Sequence, residues 1–430
     1  MTTNIKVPYG KKDFLDLKVP EKNLVGVYSA REGEPIKEEK KAIEKVLSNP
    51  IGTLPLTELA KNKKDVMIAI NDASRPNIQI KVLPILVDHL LKAGMKKENI
   101  KVMIGVGSHR PAYEKEISEM LGELNGEIEI VEHSAFTSEM KNFGKTSLGY
   151  ICEVNRLFAE SDLKIILGTV LPHPFAGFSG GGKMVSVGVS SATAISTTHT
   201  PDMLDHPDTS WGWIKNNPFY LNAIEQAEMV GVDFAINAVM DEDGSLFHIS
   251  AGKVKEAQMS CIEKARKLFE VHIPEKADIV VVSSGYPKDA NLYHVGAMAI
   301  CAIAGSSVKF PPIKENGSII VASPMEDGVY NQIYYDTLKA ASNPAEVMKK
   351  VRAMSDLEPG HHRAYGVAQV LDKYKVIVAQ SKLDPETIKA AHMEYNDSLQ
   401  DAFDTTLKEY GDDARVSVLL SSHRMVVMSE

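Results

Sequence analysis

The chain has 430 residues, 44% hydrophobic and 24% charged, which suits a large buried core and a length of two or three domains. Its 48 Lys and Arg against 57 Asp and Glu give a formal charge of -9, and no basic stretch is interleaved with aromatics, so nucleic acid and other polyanions are not expected partners. The N-terminus MTTNIKVPYGKKDFLDL lacks the apolar core of a signal peptide, and no apolar run approaches the ~20 residues that cross a bilayer, so a soluble cytoplasmic protein with no membrane partner is expected.

In chain order, short β-branched or apolar runs alternate with helical stretches. DVMIAI (65–70) is followed by a helix near 80–94, then IKVMIGVGSH (100–109), EIEIVEH (127–133) and LKIILGTVLPH (163–173). Fully apolar strands separated by helices predict an α/β fold with a mainly parallel sheet covered on both faces, and place function at the carboxyl ends of the strands. Around HIPEKA (272–277) a Lys- and Glu-rich helix gives way through Pro274 to a fresh strand, ADIVVVSSG (277–285), with later strands near 317–323, 374–380, 416–422 and 424–430. The expected organisation is two such α/β domains, 1–273 binding cofactor and carrying the chemistry and 274–430 following it, with the last strand or helix packing back on the first domain. Cys152, Cys261 and Cys301 lie far apart without a CxxC pair, which favours buried free thiols over a disulfide framework or a thiolate zinc site.

Three strands deliver polar cargo to one sheet edge: 65–70 leads to Asp72 and Arg75, 100–107 to His109 and Arg110, and 163–171 to His173 and Lys183. The last of these loops contains GFSGGGKM, which comes close to a nucleotide-triphosphate loop, with Gly177, four residues, Gly182 and Lys183. Met184 stands where a hydroxyl would hold Mg²⁺, so ATP with Mg²⁺ is the weaker reading. Ser179, Gly180, Gly181 and Gly182 could present backbone N–H groups to a phosphate if Lys183 opens a helix. A mere tight turn before a helix is the alternative, less favoured because four small residues in a row are followed by Lys. A lysine beside Phe178, Met184 and Val185 could also be a nucleophile, since burial favours the neutral amine. His199 follows, at the end of a helix, and His109, His173 and His199 together invite a three-histidine zinc site, although no HxH or HExxH spacing fixes two ligands on one element.

These residues carry a resemblance. NDxSRP around Asp72 and Arg75, GxGxHRP around His109, HPFAGFSGGGK around His173 and Lys183, His199 downstream and GYPKDANLYH (285–294) are together similar to the motifs of the nickel-dependent lactate racemase family of 2-hydroxyacid racemases and epimerases. The resemblance implies an active site in a cleft between the domains and a nickel-pincer nucleotide, a nicotinic acid-derived mononucleotide whose two sulfurs and one carbon bind nickel. It implies that Lys183 tethers this cofactor through a thioamide, that His199 ligates nickel, and that Ser179, Gly180, Gly181, Gly182, Tyr293 and His294 surround the nucleotide. Proteins that make the cofactor become implied partners, and a 2-hydroxy acid the implied substrate.

Chemistry explains such a set. Removing the C2 proton of a 2-hydroxy acid is difficult beside an anionic carboxylate, whereas moving hydride passes through a planar 2-keto acid. Two antipodes present their hydroxyls differently, so two general bases are expected, and His109 and His173 fit them. Arg75 offers a planar fork for the carboxylate, and Asp72 either orients Arg75 or a histidine or makes an Asx turn. The family's Gln after the second-domain Tyr, and its substrate-holding Lys three residues later, read His294 and Ala297 here. His294 could therefore address a larger 2-hydroxy acid with a second polar group, or bond the cofactor. SVGVS (186–190) replaces the family's usual Pro-Gly turn.

The alternatives are a zinc-dependent hydrolase and a non-catalytic phosphate- or nucleotide-binding protein. His361 and His362 in EPGHHRAYG read as a surface turn or cleft-lining loop, and Trp211 and Trp213 as packing.

Overall fold

The computed structural model describes residues 1–241, 243–305 and 308–429. They form two compact units, one within residues 32–198 and 214–267, the other within residues 1–31, 199–213 and 268–429.

The first unit is built on a six-stranded sheet in the order Leu246–Gly252, Phe234–Met240, Leu163–Thr169, Val66–Asn71, Ile100–Gly105, Glu129–Glu132. All neighbours are parallel except the edge strand Leu246–Gly252. The central strands are apolar on both faces because helices cover both sides. Ile68 lies in register with Val102 on one side and Ile165 on the other. These three join a fully buried core with Leu83, Leu86 and Leu90 of the helix Gln79–Lys92. Chain order runs outward from Val66–Asn71 in one direction and from Leu163–Thr169 in the other. The sheet therefore has its topological switch between these two strands, the point at which open α/β sheets bind ligands at the carboxyl ends of their strands. Asn71 Nδ2 donates to Thr169 Oγ1 across that point at 3.1 Å.

The second unit carries a wholly parallel sheet ordered Glu394–Asn396, Lys375–Ala379, Ile313–Ala322, Ala277–Val282, Val416–Leu419, Leu24–Tyr28. The N-terminal hairpin, Thr2–Tyr9 paired with Asp13–Pro20, alternates so that Ile5, Val7, Leu17 and Val19 are buried against Ile279, Ile320 and Phe403. The final strand, Val426–Ser429, pairs in parallel with Glu270–Ile273. Two α/β units with mainly parallel sheets are the architecture expected from the sequence.

The stretch EPGHHRAYG is not a turn throughout: His361–Leu371 is a helix, entered through Gly360 at φ 127, a conformation that favours glycine. Trp211 is buried within the second unit, its indole N–H donating to Met425 O at 2.6 Å. All three cysteines are buried and free. Among the described residues, no helix is long and apolar enough to cross a membrane.

Candidate active site

Asp72 follows directly from the strand Val66–Asn71, in a turn closed by Arg75 N–H donating to Asp72 O at 3.3 Å. Its Oδ1 accepts from Ser74 Oγ at 2.7 Å, and its Oδ2 lies 2.7 Å from His109 Nδ1. The Asp72 side chain is only 13% exposed, that of His109 57%. Burial alone would raise the Asp72 carboxyl, but the hydrogen bond and charge of His109, the Ser74 hydroxyl and the Arg75 charge outweigh it and hold the carboxyl at about 2. An ionised carboxylate on Nδ1 puts the ring proton there and leaves Nε2 with its lone pair. That is the arrangement of an oriented general base.

His109 reaches this position because the backbone before it is pinned. Gly107, at φ 57, donates its N–H to Gly188 O at 2.9 Å, and a Cβ on Gly105 would lie 2.5 Å from the Met184 sulfur. The neighbouring Arg110 is committed elsewhere, bidentate to Glu116 at 2.8 and 2.6 Å and stacked over the Tyr113 ring at 3.9 Å.

On the other side of the switch, Pro172–His173 pairs antiparallel with Gly177–Phe178 in a tight hairpin. The turn directs the backbone N–H groups of Phe175 and Ala176 at His173 Nδ1, each at 3.2 Å. The imidazole edge meets the Phe175 ring at 5.8 Å and lies 6.4 Å from Phe219. Its Nε2 sits 2.6 Å from Lys183 Nζ, both side chains being half-buried.

The glycine run before Lys183 is shaped by close packing. Gly180 and Gly181 adopt φ 77 and φ 51, and a Cβ on Gly182 would lie 2.2 Å from Ala223 O. Gly181 N–H donates to Asn237 Oδ1 at 2.9 Å, while Gln258 Nε2 donates to Ser179 O at 3.0 Å and Gly180 O at 3.2 Å. The tight turn alone thus accounts for much of the demand for glycine. After Lys183 the chain makes only a short, wide helical turn, Met184–Gly188, with Met184 buried. Asn237 and Gln258, both buried, were not singled out in the sequence; a lone Asn inside the apolar strand FAINAVM was the available signal.

In the second unit, Asn291 caps the helix that bears Tyr293 and His294, accepting from His294 N–H at 2.9 Å. The Tyr293 ring stacks on Tyr330 at 5.9 Å, carries the Arg363 guanidinium at 4.0 Å, and meets the His294 ring at 5.6 Å. Ala297 is buried at 4% exposure. His199 lies with its ring 5.1 Å from that of His362, which stands in the first turn of the helix His361–Leu371. Among the described residues no three His, Cys, Asp or Glu side chains are gathered as a metal-binding group.

Residues 9–212 match the family model of the lactate racemase N-terminal domain, and residues 273–427 that of the lactate racemase C-terminal domain. The lactate racemase of Thermoanaerobacterium thermosaccharolyticum is 29% identical over 431 residues, 99% of each chain. That of Lactiplantibacillus plantarum is 29% identical over 422 residues, 96% of this chain and 97% of its own. The structure of the Thermoanaerobacterium apoprotein superposes with a TM-score of 0.90, covering 99% of this chain and all of that one. A Thermotoga maritima protein at 18% identity and a TM-score of 0.68 shares the fold over 93% of this chain.

Proposed function

This chain belongs to the lactate racemase family and is a racemase, an isomerase, and we propose that it inverts C2 of a 2-hydroxy acid by reversible hydride transfer through a 2-keto acid. The observation that carries the reading is the Asp72–His109 pair beside the switch point, with a second histidine, His173, across it. His109 takes the hydroxyl proton at Nε2, and the ionised Asp72 steadies the charge that forms on the ring. His173 handles the proton of the opposite antipode through its own Nε2, once Lys183 no longer occupies that nitrogen. Arg75, whose charge is already felt at Asp72, receives the substrate carboxylate as a planar fork.

When bound, a nickel-pincer nucleotide supplies the hydride acceptor. The residues suited to hold it are Lys183 as the covalent tether and His199 as the nickel ligand. Ser179, Gly180, Gly181 and Gly182 would hold its nucleotide near Lys183, and Tyr293 and His294 would contribute further contacts to it. His294, close to Tyr330 with ring centroids 5.0 Å apart, addresses a second polar group on a substrate larger than lactate. Buried free thiols suit a cytoplasmic setting, where they stay reduced and the proteins that make the cofactor would act on the enzyme.

The test is interconversion of a single antipode in D₂O by the loaded enzyme. Hydride transfer keeps the original hydrogen on C2 in the product. Extensive solvent deuterium at C2 would instead mean proton abstraction and sink the proposal.

A further inference from the structure

We propose that Arg363 selects a substrate with two carboxylates, so that the acid inverted here is a short 2-hydroxy dicarboxylate whose distal carboxylate Arg363 receives. The inference rests on the reading above, in which Tyr293 and His294 contribute to the site and Arg75 takes the carboxylate beside C2. Its basis is the setting of one arginine within the second unit. Arg363 stands in the first turn of the helix His361–Leu371, half-buried, with its guanidinium stacked 4.0 Å over the Tyr293 ring. That ring in turn meets His294 at 5.6 Å and Tyr330 at 5.9 Å, and Tyr330 is exposed. Ala297, on the turn after Tyr293, is buried and brings no charge there.

A stacked guanidinium uses its face and leaves its edge. The aromatic ring attracts the cation, but the N–H donors lie in the guanidinium plane and need acceptors of their own. Among the described residues Nη1 donates to Tyr293 O over a long 3.4 Å, and Nε, although buried, has no hydrogen-bond partner. No carboxylate of the described residues pairs with this guanidinium. Asp205, which also meets the helix, accepts from Tyr365 at 2.9 Å, from Gln369 at 2.6 Å and from Arg352. The Arg363 charge is felt inward, where it opposes the burial that pushes the Cys301 thiol up to about 12 and raises the Tyr334 hydroxyl. Holding such a charge half out of water without an anion is costly, and a carboxylate along its edge offsets that cost.

The chemistry of the ligand follows from the fork. A planar, permanently charged guanidinium matches the coplanar oxygens of a carboxylate, which neither a hydroxyl nor a methyl group reproduces. Arg75 already answers the carboxylate beside C2, and lactate has no other. A second carboxylate on the substrate supplies the anion for Arg363, and the His294 imidazole, in contact with the same tyrosine, can donate to it. The stack on Tyr293 sets the plane of the fork before substrate arrives, which lowers the ordering cost of binding.

Racemisation by the cofactor-loaded full-length enzyme, started from one antipode of malate or of 2-hydroxybutyrate and followed by chiral chromatography, tests this. The two acids have the same number of carbons and differ in the distal carboxylate. The expected kcat/KM for malate exceeds that for 2-hydroxybutyrate by about 10²-fold, the size of a charge-assisted bidentate contact. In Arg363→Met the ratio falls towards one, chiefly through KM for malate. In Arg363→Lys, which keeps the charge without the fork, it is intermediate. A ratio taken within one preparation cancels any fraction that is misfolded or unloaded. A wild-type ratio of one or below, inversion of neither acid, a ratio that survives Arg363→Met, or loss of both activities together in Arg363→Met and Arg363→Lys would overturn the proposal. Failure of the hydride reading alone looks different: the preference for malate holds, yet in D₂O the product carries solvent deuterium at C2.

Discussion

Asp72 and His109 stand 37 residues apart in the chain and meet at 2.7 Å, carboxylate oxygen to ring Nδ1, at the carboxyl ends of adjacent parallel strands. The pairing fixes the tautomer of a solvent-facing histidine with a carboxylate that is itself largely buried. Burial of the carboxylate and exposure of the imidazole suit the roles proposed for them, one to hold charge and the other to exchange protons.

Replacing the acid should therefore impair the base without unfolding the protein. In Asp72→Asn the amide still fills the space and can still accept, but it provides no charge to stabilise the protonated ring. A fall of about 10²-fold or more in kcat of the loaded enzyme is expected. Cofactor loading by intact mass and far-UV circular dichroism should be unchanged. Full activity would remove Asp72 from the mechanism.

The same pair makes an acid-side prediction. The folded-state carboxyl of Asp72 lies at about 2 against an ordinary 3.8, so its contribution to stability is present above pH ~4 and is lost as pH falls through ~2. Carboxyl ¹³C resonances of aspartate-labelled protein should include one that titrates near the lower value and vanishes in Asp72→Asn. In His109→Ala burial is opposed by less, and the same signal should move up. No movement would mean that His109 does not hold it down.

Glycine substitutions separate packing from backbone freedom. Gly182→Ala drives a Cβ to within 2.2 Å of Ala223 O, whereas Gly144, at φ 90, has nothing within 4 Å of the added methyl. The first should cost about 1–3 kcal/mol or more through forced backbone shifts, the second about 1 kcal/mol of strain. Thermal melts of the two variants give the ordering, and a milder effect at Gly182 would contradict the packing account of this loop.

Burial also pushes the thiols of Cys261 and Cys301 up to about 12 and that of Cys152 up to about 11. Alkylation of native protein with iodoacetamide near neutral pH should leave all three unmodified, and unfolding should expose all three. Rapid labelling of any one in the native protein would show that it is reached without unfolding.

Much of this was legible in the sequence because it rests on local patterns. The runs VMIAI and KIILGT are strands by composition, and helices between strands imply parallel neighbours, which put Asp72, His109, His173 and Lys183 on strand-end loops. Partnership is a different kind of information. That Asp72 meets His109, or that Lys183 meets His173, depends on strand register and on a hairpin between residues 172 and 178, and neither leaves a periodic trace. Non-local pairing hid the strand Leu24–Tyr28, which joins the sheet of the second unit beside Val416–Leu419. It also hid Asn237 and Gln258, whose role is visible only once the glycine loop lies against them. In EPGHHRAYG the Pro-Gly pair reads as a turn, and is one, but the glycine is also the entry to a helix that brings His362 beside His199.

The central claim is that Lys183 is a covalent tether and that nickel accompanies it. Intact-protein and peptide mass spectrometry, with metal analysis, on protein co-produced with the cofactor-making enzymes tests it most directly. The expected result is an adduct on the peptide containing Lys183, lost in Lys183→Ala, with nickel near one per chain. An unmodified chain carrying zinc, or one carrying no metal, would contradict it.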